Sequence, residues 1–355
     1  MEFGIVSPGR MDAWKDVVLA EDNGFTHAWY YDSQMLYSDV YVCMALAAER
    51  TKRIKLATGV SIPRNRIDAV TAHSIASINQ LAPGRTILGL GTGFTGRYAM
   101  GLRPLPLSTL RESITNCRKL LSGDEILFRE GKHERWIKFV HPNYGYINIK
   151  DRIPIVVAAN GPKVLAMTGE LADGWFTNTV DTNSFQEDLA IVRKGAAVAG
   201  RSLPDDFLTV TLTTGCILRP GESATSPRVV QRVGAFAIVG LHAAWEHSAV
   251  TARYPQWLLD LANRYRDEYV SKMKTPADRR YRQVHEGHLI YLKPGEDRYL
   301  PENLIRGGTL TGTGEEIIAR LRELEAAGLK QVALQIVNDG RALIEEFSRE
   351  VIAKY

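Results

Sequence analysis

The chain has 355 residues, 45% of them hydrophobic and 24% charged, which is enough apolar material for a substantial core without disulfide or metal staples. Its 44 Lys and Arg stand against 40 Asp and Glu, a formal charge of +4, and no basic block is long enough to track a phosphate backbone, which argues against nucleic-acid binding. Cys43, Cys117 and Cys216 are scattered through apolar segments, and neither a leader-like N-terminus nor an apolar run of about 18 residues occurs, so the sequence reads as a soluble cytoplasmic protein in a reducing compartment.

Short β-rich runs at 3–6, 26–31, 54–59 and 86–90 alternate with helical patterns near 12–23, 39–51 and 68–81. The alternation resumes with a strand over 153–158, a helix over 162–172, a strand over 174–178 and a helix near 184–199. A seventh strand is expected over 208–218 and an eighth over 331–337, before a terminal helix with Leu343, Phe347 and Val351 on one face. Repeated strand and helix implies a parallel sheet. Eight candidates, with no second half repeating a nucleotide-binding unit, predict an α/β fold: a single (β/α)8 TIM barrel spanning 1–355, with insertions.

Three excursions interrupt it, at 94–107, 123–150 and 219–307. The largest is a helical lid region between strand seven and the following barrel helix, with helices expected over 229–246 and 256–273 and an irregular stretch over 276–306. Thr313 followed by Glu316 reads as a capping box that restarts the barrel, with Ile317, Leu321 and Leu324 as the buried stripe.

Barrel enzymes place their sites at the C-terminal ends of the strands. The fifth strand stops at Asn160-Gly161-Pro162-Lys163, where Gly161 removes side-chain bulk and Pro162 suits a first helical turn. The amides of that turn favour an anion, and Lys163 adds charge, although a tight strand-to-helix turn needs no ligand. Asp32 and Ser33 end the second strand and are placed to hydrogen-bond a ligand, with loop capping as the ordinary alternative. The run Gly89-Leu90-Gly91-Thr92-Gly93 fails the dinucleotide fingerprint because Phe94 stands where a third glycine belongs, so close backbone approach to a flat ligand is the functional alternative to a flexible loop. The eight histidines form no metal-binding pattern, and His285-Glu286-Gly287-His288 is the densest polar cluster of the lid region. No nucleophile elbow is present.

Ala20-Glu21-Asp22-Asn23-Gly24-Phe25, the Trp29 to Asp32 ending, the segments 54–60 and 85–93, and above all 158–173 resemble the bacterial-luciferase-like flavin/deazaflavin oxidoreductases. Leu310-Thr311-Gly312-Thr313 extends the match over nearly all barrel elements. Within the superfamily the chain looks closest to the methylenetetrahydromethanopterin-reductase-like branch that uses the deazaflavin F420. The resemblance implies a homodimer with its cofactor at the C-terminal mouth and a non-prolyl cis peptide at Gly59-Val60 behind the cofactor ring. It further implies that Asp32 and Ser33 line the ring, that Asn160, Gly161 and Pro162 hold the phosphate-bearing tail, and that Thr92 and Gly93 lie near cofactor or substrate. F420-dependent sugar-phosphate dehydrogenases of similar fold carry a histidine and a glutamate where this chain has Ser33 and Phe94, which argues against that substrate class and leaves the catalytic acid or base unassigned.

The leading expectation is therefore an F420-dependent oxidoreductase that transfers hydride to or from a small ring-containing or unsaturated compound, largely by alignment of reacting carbons. Arg64, Arg66 and Arg97 are expected to meet the long acidic tail of F420. An FMNH2-dependent monooxygenase, served by a separate flavin reductase, is the alternative, and an inactive cofactor-binding scaffold is the third reading. Phe94, Arg97 and His288 are the expected substrate-pocket residues, and Tyr98, Trp245, Trp257 and Tyr291 suggest an apolar or ring-containing substrate. No metal is expected.

Overall fold

The apolar runs of the sequence are buried on both faces, as parallel strands covered by helices must be. The computed structural model describes residues 1–247 and 251–355 with their side chains. In chain order the strands are β1 (Glu2–Ser7), β2 (His27–Tyr30), β3 (Lys55–Thr58), β4 (Thr86–Leu90), β5 (Ile126–Glu130), β6 (His133–Ile137), β7 (Ile155–Ala158), β8 (Gly174–Thr177), β9 (Leu208–Thr213), β10 (Gly215–Ile217), β11 (Leu310–Gly312) and β12 (Gln331–Gln335). Eight of them close into a barrel in the order β1-β12-β9-β8-β7-β4-β3-β2, and its strand pairs are parallel.

Each barrel strand sends one side chain into a common interior cluster: Val6, Trp29, Ala57, Ile87, Val156, Phe176, Val210 and Ala333. Trp29 and Phe176 fill the axis, with ring centroids 4.9 Å apart, and small residues such as Ala57 and Ala333 make room for them. Trp29 donates its indole N–H to Gln331 at 2.7 Å, so the largest interior ring leaves no polar atom unpaired. A second, larger cluster lies between the strands and the outer helices. Helix Asp68–Leu81, for example, buries Ala72, Ile75, Ala76 and Ile78 in it. A fully buried isoleucine contributes roughly 1.5–3 kcal/mol, so the barrel is held from both sides.

The excursions differ in detail from their expected form. Segment 123–150 contains an antiparallel hairpin, β5 with β6, which turns at Gly131 in the left-handed region. The strand expected over 208–218 is two strands. The barrel strand β9 stops at Thr213, Thr214 turns its hydroxyl to the carbonyl of Gln335 at 3.0 Å, and the chain leaves the barrel as β10 to pair with β11. The helix expected over 229–246 is likewise two, Pro227–Ala237 and Val239–Glu246, meeting at Ile238, and the one expected over 256–273 ends at Glu268. These helices enclose a small core of their own, with Val233, Leu241, Tyr265 and Tyr299 in it. Thr313 and Glu316 form the expected reciprocal capping box at the start of helix Gly314–Ala326. Among the described residues no helix is long and apolar enough to cross a membrane.

Candidate active site at the barrel mouth

Four strands that are neighbours in the barrel, β2, β3, β4 and β7, end in the segments singled out above. Adjacent strands run about 4.8 Å apart, so Tyr31 to Ser33, Gly59 to Ser61, Gly91 to Gly93 and Asn160 to Pro162 form one continuous arc at the C-terminal rim.

At the β7 end the chain turns at once into helix Pro162–Leu171. Gly161 is its N-cap in extended conformation (φ −103°, ψ 151°), Pro162 takes the first turn, and no side chain caps it. The first intrahelical bond runs from the Leu165 N–H to the Gly161 carbonyl at 2.9 Å, which leaves the N–H groups of Lys163 and Val164 aimed outward at the positive end of the helix dipole. A Cβ built on Gly161 meets no atom within 4 Å. The turn therefore opens onto free space, as surface turns such as Gly200 and Gly221 also do. Trp175 fixes the strand side by donating to the Ala159 carbonyl at 2.8 Å, and Asn160, exposed, accepts from the Thr177 hydroxyl at 2.8 Å. Lys163 is exposed at the rim.

In the middle of the arc the Gly59-Val60 peptide is cis. Gly59 donates to the Tyr30 carbonyl at 2.7 Å, Ser61 to the Gly89 carbonyl at 2.8 Å, and Gly91 to the Ser61 carbonyl at 3.1 Å. A Cβ on Gly91 would come within 2.7 Å of Val60 and 3.2 Å of Ala158, so the absence of a side chain at 91 is what lets Val60 bulge into the mouth.

Asp32 is 5% exposed, and one of its oxygens holds both Ser61 Oγ and Arg66, each at 2.7 Å. The other arm of Arg66 reaches Asp39 at 2.6 Å, and Asp39 caps helix Val40–Ala48. Burial raises the Asp32 carboxyl above its ordinary value, against the opposing pull of Arg66 and Ser61. The aspartate thus ties the end of β2 to the loop after β3 and has one oxygen left for the mouth. Ser33 is half-buried beside Gly96, so the loops after β2 and β4 touch. Thr92 and Phe94 are half-buried at the same rim, Gly93 is buried in the left-handed region, and Phe94 meets the buried Tyr98 edge to face.

The lid supplies the opposite wall. Leu289 joins the interior cluster of the barrel in a left-handed conformation (φ 63°), and three successive carbonyls around it are gripped by the barrel. Tyr37 donates to His288, Gln335 to Leu289 and Asn338 to Ile290, each at 2.9 Å. A leucine in this conformation costs about 1–2 kcal/mol, which the three bonds and the buried side chain offset. His288 is 2% exposed and its ring faces the Thr95 hydroxyl at 3.1 Å, while His285 faces Glu246 at 3.0 Å. Burial, together with the nearby titratable groups His285, His242 and Lys293, holds His288 well below the ordinary imidazole range. Burial also takes His242 down to about 4, although Glu296 at 3.0 Å pulls the other way. Among the described residues no group of three or more His, Cys, Asp and Glu is placed to hold a metal ion.

Several sequence expectations are redirected. Arg66 is committed to Asp32 and Asp39, Arg64 is exposed with Glu112 at 4.0 Å, and Arg97 donates to the Arg103 carbonyl at 2.5 Å. Trp257 and Tyr291 are exposed, while Tyr98 is buried and Trp245 half-buried. Thr95, Ser61 and Glu246 were not singled out from the sequence. Each acquires its place from a partner distant along the chain, and only the His285-x-x-His288 spacing carried a signal.

Residues 1–331 match the protein family described as luciferase-like monooxygenase. The chain is 34% identical to a 5,10-methylenetetrahydromethanopterin reductase of Methanolobus tindarius over 224 residues, 62% of this chain and 66% of that protein. Identity to the same-named enzyme of Archaeoglobus fulgidus is 27% over 361 residues, covering 100% of this chain and 99% of the relative. The structure of the coenzyme F420 dependent tetrahydromethanopterin reductase from Methanopyrus kandleri superposes with a TM-score of 0.72 at 22% identity, covering 100% and 99% of the two chains.

Proposed function

Because the chain belongs to the luciferase-like monooxygenase family, we propose that it is an oxidoreductase that binds coenzyme F420 at the barrel mouth and transfers hydride to or from a small unsaturated or ring-containing compound. The observation that carries this reading is the continuous arc of strand ends, with the open Gly161 corner at one end and the Val60 bulge in its middle. The chemistry of the donors fits the group: outward amides at a helix N-terminus suit a phosphate, and an apolar bulge backed by Trp29 suits a flat ring. Asn160, Gly161 and Pro162 would hold the tail, and Asp32, Ser33, Gly59, Val60, Thr92 and Gly93 the ring. When bound, the deazaflavin supplies the two-electron chemistry. The residues of this chain align the partner and keep water out, with the lid as a cover.

Preference for F420 over FMN rests on the resemblance to the F420-using reductase branch and on the likeness to the coenzyme F420 dependent reductase from Methanopyrus kandleri, because, of the arginines expected to meet an acidic tail, Arg66 is paired with Asp32 and Asp39 and Arg97 bonds the Arg103 carbonyl. His288 lies against the hydroxyl of Thr95, the neighbour of Phe94 in sequence, and Phe94 and His288 would form the substrate side. The proposal includes a homodimer, which sedimentation velocity tests independently. Parallel equilibrium titrations with F420, reduced F420, FMN and reduced FMN test the cofactor. Tight binding of either F420 form is expected, and binding of reduced FMN alone would turn the assignment to a monooxygenase supplied by a flavin reductase.

A further inference from the structure

A line of polar side chains runs from the partly exposed Glu246 of the lid to Thr95 in the segment after β4. Glu246, its side chain 12% exposed, ends helix Val239–Glu246 and faces Nε2 of His285 at 3.0 Å. His285 Nδ1 lies 3.4 Å from His288 Nδ1, and His288 Nε2 lies 3.1 Å from Thr95 Oγ1. Both imidazoles are buried, whereas Thr95 is half-buried just past the β4 loop of the candidate site. Beside this line Lys293 and Glu296 pair at 2.8 Å, Glu296 also binds His242 and the Tyr265 hydroxyl, and the His242 ring lies 6.0 Å from that of His288. The Tyr98 ring lies parallel to that of His285 at 6.3 Å.

Hydrogen-bond chemistry gives this line a direction. An ionised carboxylate only accepts, so His285 presents its Nε2–H to Glu246. With one N–H on each ring, His285 Nδ1 then accepts, His288 donates from Nδ1, and His288 Nε2 accepts the hydroxyl proton of Thr95. The inner end of the line is therefore a proton acceptor.

We propose that Thr95, His288, His285 and Glu246 form a proton exit from the barrel mouth, so that the substrate carries an ionisable hydroxyl or amine on the carbon that gives up hydride. The inference rests on the hydride-transfer reading above. In the step, the C–H bond of that carbon breaks and its electron pair leaves as hydride to the bound cofactor, the oxidant. The O–H or N–H bond gives its proton to Thr95 Oγ1 as the threonine's own proton passes to His288 Nε2. The Nδ1 proton of His288 moves to His285 Nδ1, and the Nε2 proton of His285 moves to Glu246 and on to solvent. The substrate is left with a C=O or C=N bond, and in the reverse reaction the same line returns the proton. Thr95 is the catalytic residue here. The other three act through it.

Long-range ¹H–¹⁵N spectra of the histidine-labelled protein without cofactor test the direction of the line. The expected result is His288 protonated on Nδ1 and His285 on Nε2, with the preference of His285 lost in Glu246→Ala. A His288 protonated on Nε2 overturns the proposal. F420 titration of the same sample separates the two readings: failure to bind F420 sinks the cofactor assignment, whereas binding with the opposite tautomers sinks only the proton exit. With isopropanol and isopropylamine as probe donors, Thr95→Val and His288→Gln lower kcat by about 100-fold or more with F420 affinity unchanged, and Thr95→Ser restores it. Equal kcat in Thr95→Val and Thr95→Ser overturns the role of the hydroxyl.

Discussion

At the end of β7 the chain passes from strand to helix within a few residues and leaves open space around Gly161, whereas at the end of β4 the mouth is walled by His288, 193 positions away from the Thr95 it touches. The first region is local, shallow and built from backbone. The second is non-local, buried and built from side chains that interlock. On the reading proposed above, the tail of a cofactor meets the first region and a substrate the second, so substitutions at the Gly161 corner and at the His288 wall should have separable effects.

The largest expected effect separates the two regions directly. Gly161→Trp fills the open corner, and fluorescence titration should show F420 affinity reduced by about 100-fold or more, equivalent to roughly 3 kcal/mol. Its thermal melt should match the parent, since no atom lies within 4 Å of the new Cβ. Unchanged affinity would remove the tail from this corner.

The lid should instead answer to acid. The folded-state value of His242 is about 4 and that of His288 lies well below the ordinary 6.5, so between those limits the unfolded chain binds more protons than the folded one. Stability is then complete above pH 6.5 and falls as pH drops toward 4, by something on the order of 3 kcal/mol for His242. Melts of the parent and of His242→Gln over that window check the sign, and the variant should show the flatter dependence. A parent melt that rises as pH falls would contradict it.

Leu289→Ala comes next. Removing a buried leucine costs about 2–5 kcal/mol, and the left-handed backbone keeps its strain, so chemical denaturation should place the loss near 2 kcal/mol and hydrogen exchange should show faster opening of 285–291. Equal protection in parent and variant would mean that the three carbonyl bonds alone hold the lid. The smallest effect belongs to Lys163→Ala. Its exposed side chain should change stability by less than about 0.5 kcal/mol, and cofactor titration should find little change if the backbone amides supply the corner.

The local half of this comparison was legible in the sequence. Gly161 and Pro162 announced the corner, Thr313 and Glu316 announced the re-entry into the barrel, and the strands were found in order because short buried runs between helical periods leave few alternatives. What escaped was set by contacts far apart in the chain. Thr214 ends β9 by bonding Gln335, and Arg66 joins Asp32 to Asp39, and neither preference exists until the barrel has closed. His288 belongs to the dense polar cluster His285-Glu286-Gly287-His288, but nothing near Thr95 in sequence indicates that an imidazole will lie against it.

The pairing of β10 with β11 has a further consequence. Gly215 to Ile217 lead into the lid and Leu310 to Gly312 lead out of it, and they lie side by side as a parallel ladder outside the barrel. The chain leaves past Ile217 and returns at Leu310, on neighbouring strands but at opposite ends of the short ladder. The interval thus starts and ends beside the barrel wall, and it is also keyed to the barrel interior through Leu289 and the carbonyls of His288, Leu289 and Ile290. Exchange of the rest of this contiguous stretch, with those contacts kept, would change the lid and leave the strand ends as they are.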